Sequence, residues 1–246
     1  MIAALHRWPA AALALVLPPR CPSCGVIVDG DDQLCTACWR DMRFITRPHC
    51  AACGIPFAHD PGEAALCGAC LADPPLFAAA RAAVAYDAVA RRMLMRLKHG
   101  RRTHVARLMG RQMRRLEPGW LEDAESLIVP VPLARWRLWA RGYNQALLIA
   151  RSLAEGSPAR VVPELLRRVR ETALSGGLSR KERARNVKGA FRVPARQRLR
   201  VKGRTVLLVD DVCTTGATAN ACAAALLKAG AREVRLLSWA RVVMES

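Results

Sequence analysis

Val206-Leu207-Leu208-Val209-Asp210-Asp211-Val212-Cys213-Thr214-Thr215-Gly216-Ala217-Thr218 is the stretch that decides the fold. Its unbroken apolar opening, Thr205 to Val209, reads as a strand buried on both faces, the pattern of a parallel sheet. A helix from Ala217 to Ala229 follows. Between them lie two carboxylates and a short hydroxyl-rich turn. A turn that feeds a helix start delivers free backbone N–H groups, and the helix dipole there favours negative charge. Thr214, Thr215 and Thr218 add hydroxyl donors around one phosphate, and Gly216 and Ala217 leave room for the backbone to approach it. Asp210 and Asp211 are expected just outside the strand end, where open parallel sheets bind ligands. Paired acceptors of this kind suit sugar hydroxyls.

Outward from this stretch, strands and helices alternate. Ala79–Tyr86, Ser126–Val131 and Val234–Ala240 read as strands. Val89–Leu97, ending at Lys98-His99-Gly100, reads as a helix, as do Thr103–Leu116, opened by a threonine cap, and Asn144–Leu153. A loop joins Val131 to Asn144. The order implies an α/β domain over residues 78–246, a parallel sheet flanked by helices.

Residues 20–73 have another logic. Cys21/Cys24, Cys35/Cys38, Cys50/Cys53 and Cys67/Cys70 are four Cys-x-x-Cys pairs. Each pair aims two thiolates at one point, and two pairs complete a tetrahedral zinc site with no open position for water. Glycines after Cys24 and Cys53 free the backbone to turn its amides towards the sulfurs. Sequential pairing closes loops of 10 and 13 residues, at lower entropic cost than the cross-brace alternative. Two structural zinc ions in a double ribbon are expected. The ribbon is then a docking or recognition module. Cys213 and Cys222 stand apart and read as small apolar packing residues, although Cys213 adjoins the phosphate turn.

Residues 1–19 read as an amphipathic helix docked on the rest. Its apolar part, Ala10 to Leu17, is too short to span a bilayer and has no small-residue cleavage site. No membrane insertion is expected. Thiol pairs suited to metal rather than disulfide scaffolds point to a reducing cytoplasm. The formal charge is +19, from 34 arginines against 5 lysines. Such a field draws polyanions, whether phosphorylated metabolites or nucleic acid, and arginine-biased composition is a second source of it. Arg91–Arg115 and Arg180–Arg204 are the densest stretches. Rings near basic positions are few: Trp136, Trp139, Tyr143 and Phe191. That favours electrostatic attraction over base stacking.

The Val206–Thr218 stretch closely resembles the phosphoribosyl diphosphate signature of type I phosphoribosyltransferases. The resemblance implies that Asp210 and Asp211 hold the ribose hydroxyls and that Thr214 to Thr218 hold the 5-phosphate. Magnesium would accompany the ligand, bridging its diphosphate and ribose oxygens. Three further groups of residues resemble the ComF-type competence proteins, which also carry a cysteine-rich ribbon. They are Val129-Pro130-Val131-Pro132-Leu133 with Arg135, Arg137 and Arg141-Gly142-Tyr143-Asn144-Gln145; Leu166–Thr172; and Leu178–Arg183 with Asn186–Phe191. The loop holding Leu133 and Arg135 would then grip the diphosphate, and Arg167–Arg185 would form a flap over it. Ser175, a shorter side chain, stands in the flap where that family usually has glutamine. Thr214 occupies the place where purine salvage enzymes carry a proton-accepting aspartate. The family implies a role in natural transformation, with single-stranded DNA and an ATP-driven DNA-uptake helicase as partners. The alternative is a nucleotide-salvage transferase acting on an unidentified base.

Overall fold

A computed structural model describes residues 18–99, 102–172 and 179–243. The segment assigned above to an N-terminal helix lies almost wholly outside them, and so does Ser175. Two short helices, α1 (Thr36–Asp41) and α2 (Gly68–Ala72), belong to the cysteine-rich head. The remainder runs β1 (Ala79–Ala85), α3 (Ala88–His99), α4 (Val105–Arg114), β2 (Leu127–Pro130), α5 (Arg135–Arg141), α6 (Gln145–Ala154), β3 (Arg160–Val161) and β4 (Arg167–Arg168). It continues through α7 (Arg180–Val187), β5 (Phe191–Arg192), α8 (Arg198–Val201), β6 (Thr205–Cys213), α9 (Ala217–Lys228) and β7 (Glu233–Arg241).

Five strands form one parallel sheet in the order β1-β7-β6-β2-β3. Period-two alternation divides β6 between two cores. Leu207 and Val209 pack with Met93, Leu97, Met109, Met113, Ile149, Leu153 and Trp239 beneath α3, α4 and α6. Val206 and Leu208 pack with Cys222, Ala223 and Leu226 of α9. Both faces are covered, which is why β6 is an unbroken apolar run. Trp239 is fully buried, and its indole N–H donates to Gln112 Oε1 at 2.7 Å.

Three sequence expectations need correction. β6 does not stop at Val209 but runs through both aspartates to Cys213, because β7 stays in register alongside it, pairing Asp210 with Ser238 and Val212 with Ala240. α4 starts at Val105 after His104 and has no side-chain cap, so Thr103 does not open it. The link from Val131 to Asn144 contains a helix, α5, ended by Gly142 in the left-handed region at φ 81°. Asn144 does cap α6, accepting from the Ala146 N–H at 3.0 Å.

The head covers the sheet edge at β1. Phe44 bridges Val84 in antiparallel fashion, the Ile45 N–H donates to Ala83 O, and the Ala85 N–H donates to Arg43 O at 2.8 Å. Further along, the Ala80 N–H donates to Ala52 O at 2.7 Å. These bonds satisfy backbone groups that an edge strand would otherwise expose. Cys21, Cys38 and Met42 pack into the same apolar cluster as Val84 and Met93.

Candidate functional site

The eight cysteines assemble as Cys21, Cys24, Cys35 and Cys38 in one group and Cys50, Cys53, Cys67 and Cys70 in the other. Pairing is therefore sequential. Within each group the ligand atoms lie within 4.8 Å of one another. Cys24 and Cys35 Sγ are 3.6 Å apart, and Cys53 and Cys67 Sγ are 3.7 Å apart. Sulfurs at zinc's bond length on a tetrahedron sit about 3.8 Å apart, so both groups fit a zinc ion. The turns supply the expected amides: Cys50 Sγ accepts from the N–H groups of Cys53 at 3.5 Å and Cys67 at 3.3 Å. Gly25 and Gly54 take φ of 88° and 71°, the left-handed conformation that closes each turn.

The second centre lies at the carboxyl end of β6. Asp210 and Asp211 are adjacent on the strand, and the Asp211 N–H donates to Asp210 Oδ1 at 2.9 Å. Burial, reinforced by the Asp211 charge, pushes the Asp210 carboxyl well above the ordinary carboxylate range. Asp211 has a cationic partner, Lys98 Nζ at 2.7 Å from Oδ2. Beyond Cys213, Gly216 turns the chain at φ 79° into α9, whose first amides have no intrahelical acceptor. A Cβ on Gly216 would meet only the Phe77 ring at 3.8 Å, so conformation rather than space requires glycine there. Thr214 is exposed, and Thr215 through Thr218 are half-buried. A pair of acceptors thus adjoins a nest of donors, the arrangement that a phosphorylated sugar complements.

Three residues contribute to this centre that were not assigned to it from the sequence. Lys98 arrives from the end of α3. It is held there by Tyr143, whose hydroxyl donates to Leu97 O. Arg141, at the end of α5, lies within reach of the Asp211 charge and donates to Gln145 Oε1 at 2.8 Å. Arg241 is buried under the turn, with Nη1 donating to Cys213 Sγ at 3.2 Å. Its charge also reaches Cys53 in the second zinc group. A lysine ending a helical pattern was a legible signal for Lys98. Nothing in the chain order announced Arg241. Of the residues assigned to the diphosphate loop, Leu133 is half-buried just past β2, and Arg135 is exposed at the start of α5.

The flap region Arg167–Arg185 begins as one arm of an antiparallel pair. β4 and β5 match Arg167 with Arg192 and Arg168 with Phe191, and α7 lies between them in sequence. Ser179 opens α7 with a capping box, its Oγ accepting from Glu182 N and its own N–H donating to Glu182 Oε2. Cys213 and Cys222 are both buried, and burial pushes both thiols up, which suits packing rather than nucleophilic chemistry. Among the described residues no helix is long and apolar enough to cross a membrane.

The fold and the two centres define a class: a double zinc ribbon attached to a phosphoribosyltransferase-type sheet. Matching families agree with both halves, with residues 12–71 fitting the double zinc ribbon domain and residues 156–241 the phosphoribosyl transferase domain. The chain is 33% identical to DNA utilization protein YhgH of Escherichia coli O6:H1, over 90% of its own length and 96% of that protein's. It is 31% identical to competence protein F of Haemophilus influenzae, with the same coverage of both chains. Competence protein ComFC of Bacillus subtilis is 25% identical over 81% of this chain and 80% of its own. The chain belongs to the ComF family of competence and DNA utilization proteins.

Proposed function

We propose that this protein binds phosphoribosyl diphosphate at the end of β6 and works in the cytoplasm on single-stranded DNA taken up during natural transformation. The observation that carries the ligand is the Asp210–Asp211 pair directly followed by the Gly216 turn into α9. In this reading the two carboxylates accept hydrogen bonds from the ribose hydroxyls. Amides and hydroxyls of Thr214, Thr215, Gly216, Ala217 and Thr218 surround the 5-phosphate. The backbone at Leu133, with Arg135, approaches the diphosphate. A magnesium ion held with the ligand beside Asp210 and Asp211 would supply charge neutralisation for the diphosphate, as hard oxygen ligands favour.

The DNA side of the reading draws support from the relatives, named for competence and for DNA utilization, and from the net charge of +19. Part of that charge is committed internally. Arg92 donates to Ser23 Oγ and Arg96 to Cys21 O, tying α3 to the first ribbon turn. Arg114 donates to the carbonyls of Ser152 and Leu153. A polyanion must therefore engage other arginines.

Calorimetric titration with phosphoribosyl diphosphate and magnesium, on wild type and on Asp210→Asn/Asp211→Asn, tests the ligand assignment. Saturable binding by wild type that vanishes in the double variant is expected. Absence of binding by wild type would remove the ligand and leave a fold that works through its partners alone.

A further inference from the structure

The helix that follows the proposed diphosphate loop has no buried residue. α5 reads Arg135-Trp136-Arg137-Leu138-Trp139-Ala140-Arg141, with three cations and no acid. Trp139 is 89% exposed and Trp136 47%. A bare indole of this size is costly to leave in water and does nothing for the core. Three residues apart, the two rings share one side of the helix, with Cβ atoms about 5–6 Å apart. Arg137 lies over the Trp136 ring, 5.1 Å from guanidinium carbon to ring centroid.

Like charges gather around Arg137. The Arg137 charge bears on both Arg141 and Arg168, the latter at the base of the flap hairpin. Among the described residues, the acids acting on Arg141 and Arg168 are Asp211, which Lys98 already pairs, and Glu171. Such a cluster attracts an anion, and the adjacent rings call for a planar group that each can stack upon. Single-stranded nucleic acid carries both at regular intervals, with phosphates for guanidinium groups and a π-face on every base. A lipid surface fits less well, because interfacial binding grows with buried apolar area and this helix has only two turns.

We infer that Trp136 and Trp139 of α5 form a base-stacking platform for single-stranded nucleic acid, flanked by Arg137, Arg141 and Arg168. The platform rests on the DNA reading proposed above and gives it a surface. It also revises the sequence view that stacking rings are too sparse: two suffice when the fold leaves one nearly bare and the other half exposed on the same side of a helix.

The test compares an oligothymidylate with an abasic oligomer of equal length, each titrated against wild type and Trp136→Ala/Trp139→Ala. Tryptophan emission and anisotropy of labelled DNA are the readouts. Wild type should bind the thymidylate more tightly than the abasic strand and show quenched indole emission. The double variant should lose about fivefold or more in thymidylate affinity per ring, bind both strands alike and keep its salt slope. Trp136→Phe/Trp139→Phe should retain most of the preference. Phosphoribosyl diphosphate binding and melting temperature serve as controls for folding, since both rings lie outside the core. Thymidylate binding that survives both alanines would overturn the platform and leave the DNA reading standing. Failure of wild type to bind either strand would overturn both. Ring-dependent binding to anionic phosphatidylglycerol vesicles without any ring-dependent DNA binding would overturn it in favour of a membrane contact.

Discussion

Asp210 is the residue whose protonation the fold changes most visibly at the ligand centre. Burial and the Asp211 carboxylate raise its proton affinity above that of the unfolded chain, while the Lys98 ammonium works in the other direction. The native state therefore binds more protons than the unfolded state, and stability falls as pH rises through the folded value. Asp210→Asn removes that charge at constant shape. The variant should melt above wild type at about pH 8, and the gap should shrink as pH is lowered towards about 4, near the ordinary carboxylate value. Thermal melts across that range check it. An equal gap at both ends would mean that Asp210 titrates normally.

At the scale of elements, the second ribbon turn and β1 meet backbone to backbone, with Arg81 Nη1 also donating to Ala51 O at 3.0 Å. A Cβ built on Gly54 would fall 2.3 Å from Ala80 O, and its φ of 71° already disfavours other residues. No flexible side chain can move aside there. Gly54→Ala should cost about 2–4 kcal/mol in urea unfolding. The affected bond is that from the Ala80 N–H to Ala52 O. A cost under half a kilocalorie would show that the head is not docked this closely. α5 is the counterexample among elements. It packs nothing into the core, so its alternation of arginine and tryptophan gives no helical apolar stripe, and reading for periodicity passes over it.

Across the whole molecule, the zinc head acts as the cover of a sheet edge. Two zinc ions per chain are expected by elemental analysis of gently purified protein. Each structural site of this kind supplies roughly 10–16 kcal/mol of folding free energy. Chelation should therefore unfold the head and strip β1 of its partners. Hydrogen exchange should rise at Ala80 and Ala85, whose N–H groups donate to the head. The Leu207–Val209 amides at the sheet centre should stay protected longer. Uniform loss of protection would mean that head and sheet fold as one unit. Arg241 offers a physical route for such coupling, since it touches Cys213 beside the Gly216 turn and its charge reaches Cys53.

The chain order alone determined the eight thiolates, the buried strand with its acidic pair, and the glycine turn into α9. Each is a local pattern, set by residues close in sequence whose geometry follows from spacing and backbone freedom. Sequential zinc pairing followed the same logic of short loop closure. What only the tertiary structure decided involves groups far apart in the chain. Lys98 reaches Asp211 across more than a hundred residues because Tyr143 holds the end of α3. Arg241 is buried because β7 lies between β1 and β6, beside the docked head. β6 runs past its apolar segment because hydrogen bonds to β7 outlast the hydrophobic run. Trp139 is bare because the described residues bury none of α5. Exposure, like a long-range ion pair, is a property of what the rest of the chain leaves uncovered, and no local pattern encodes it.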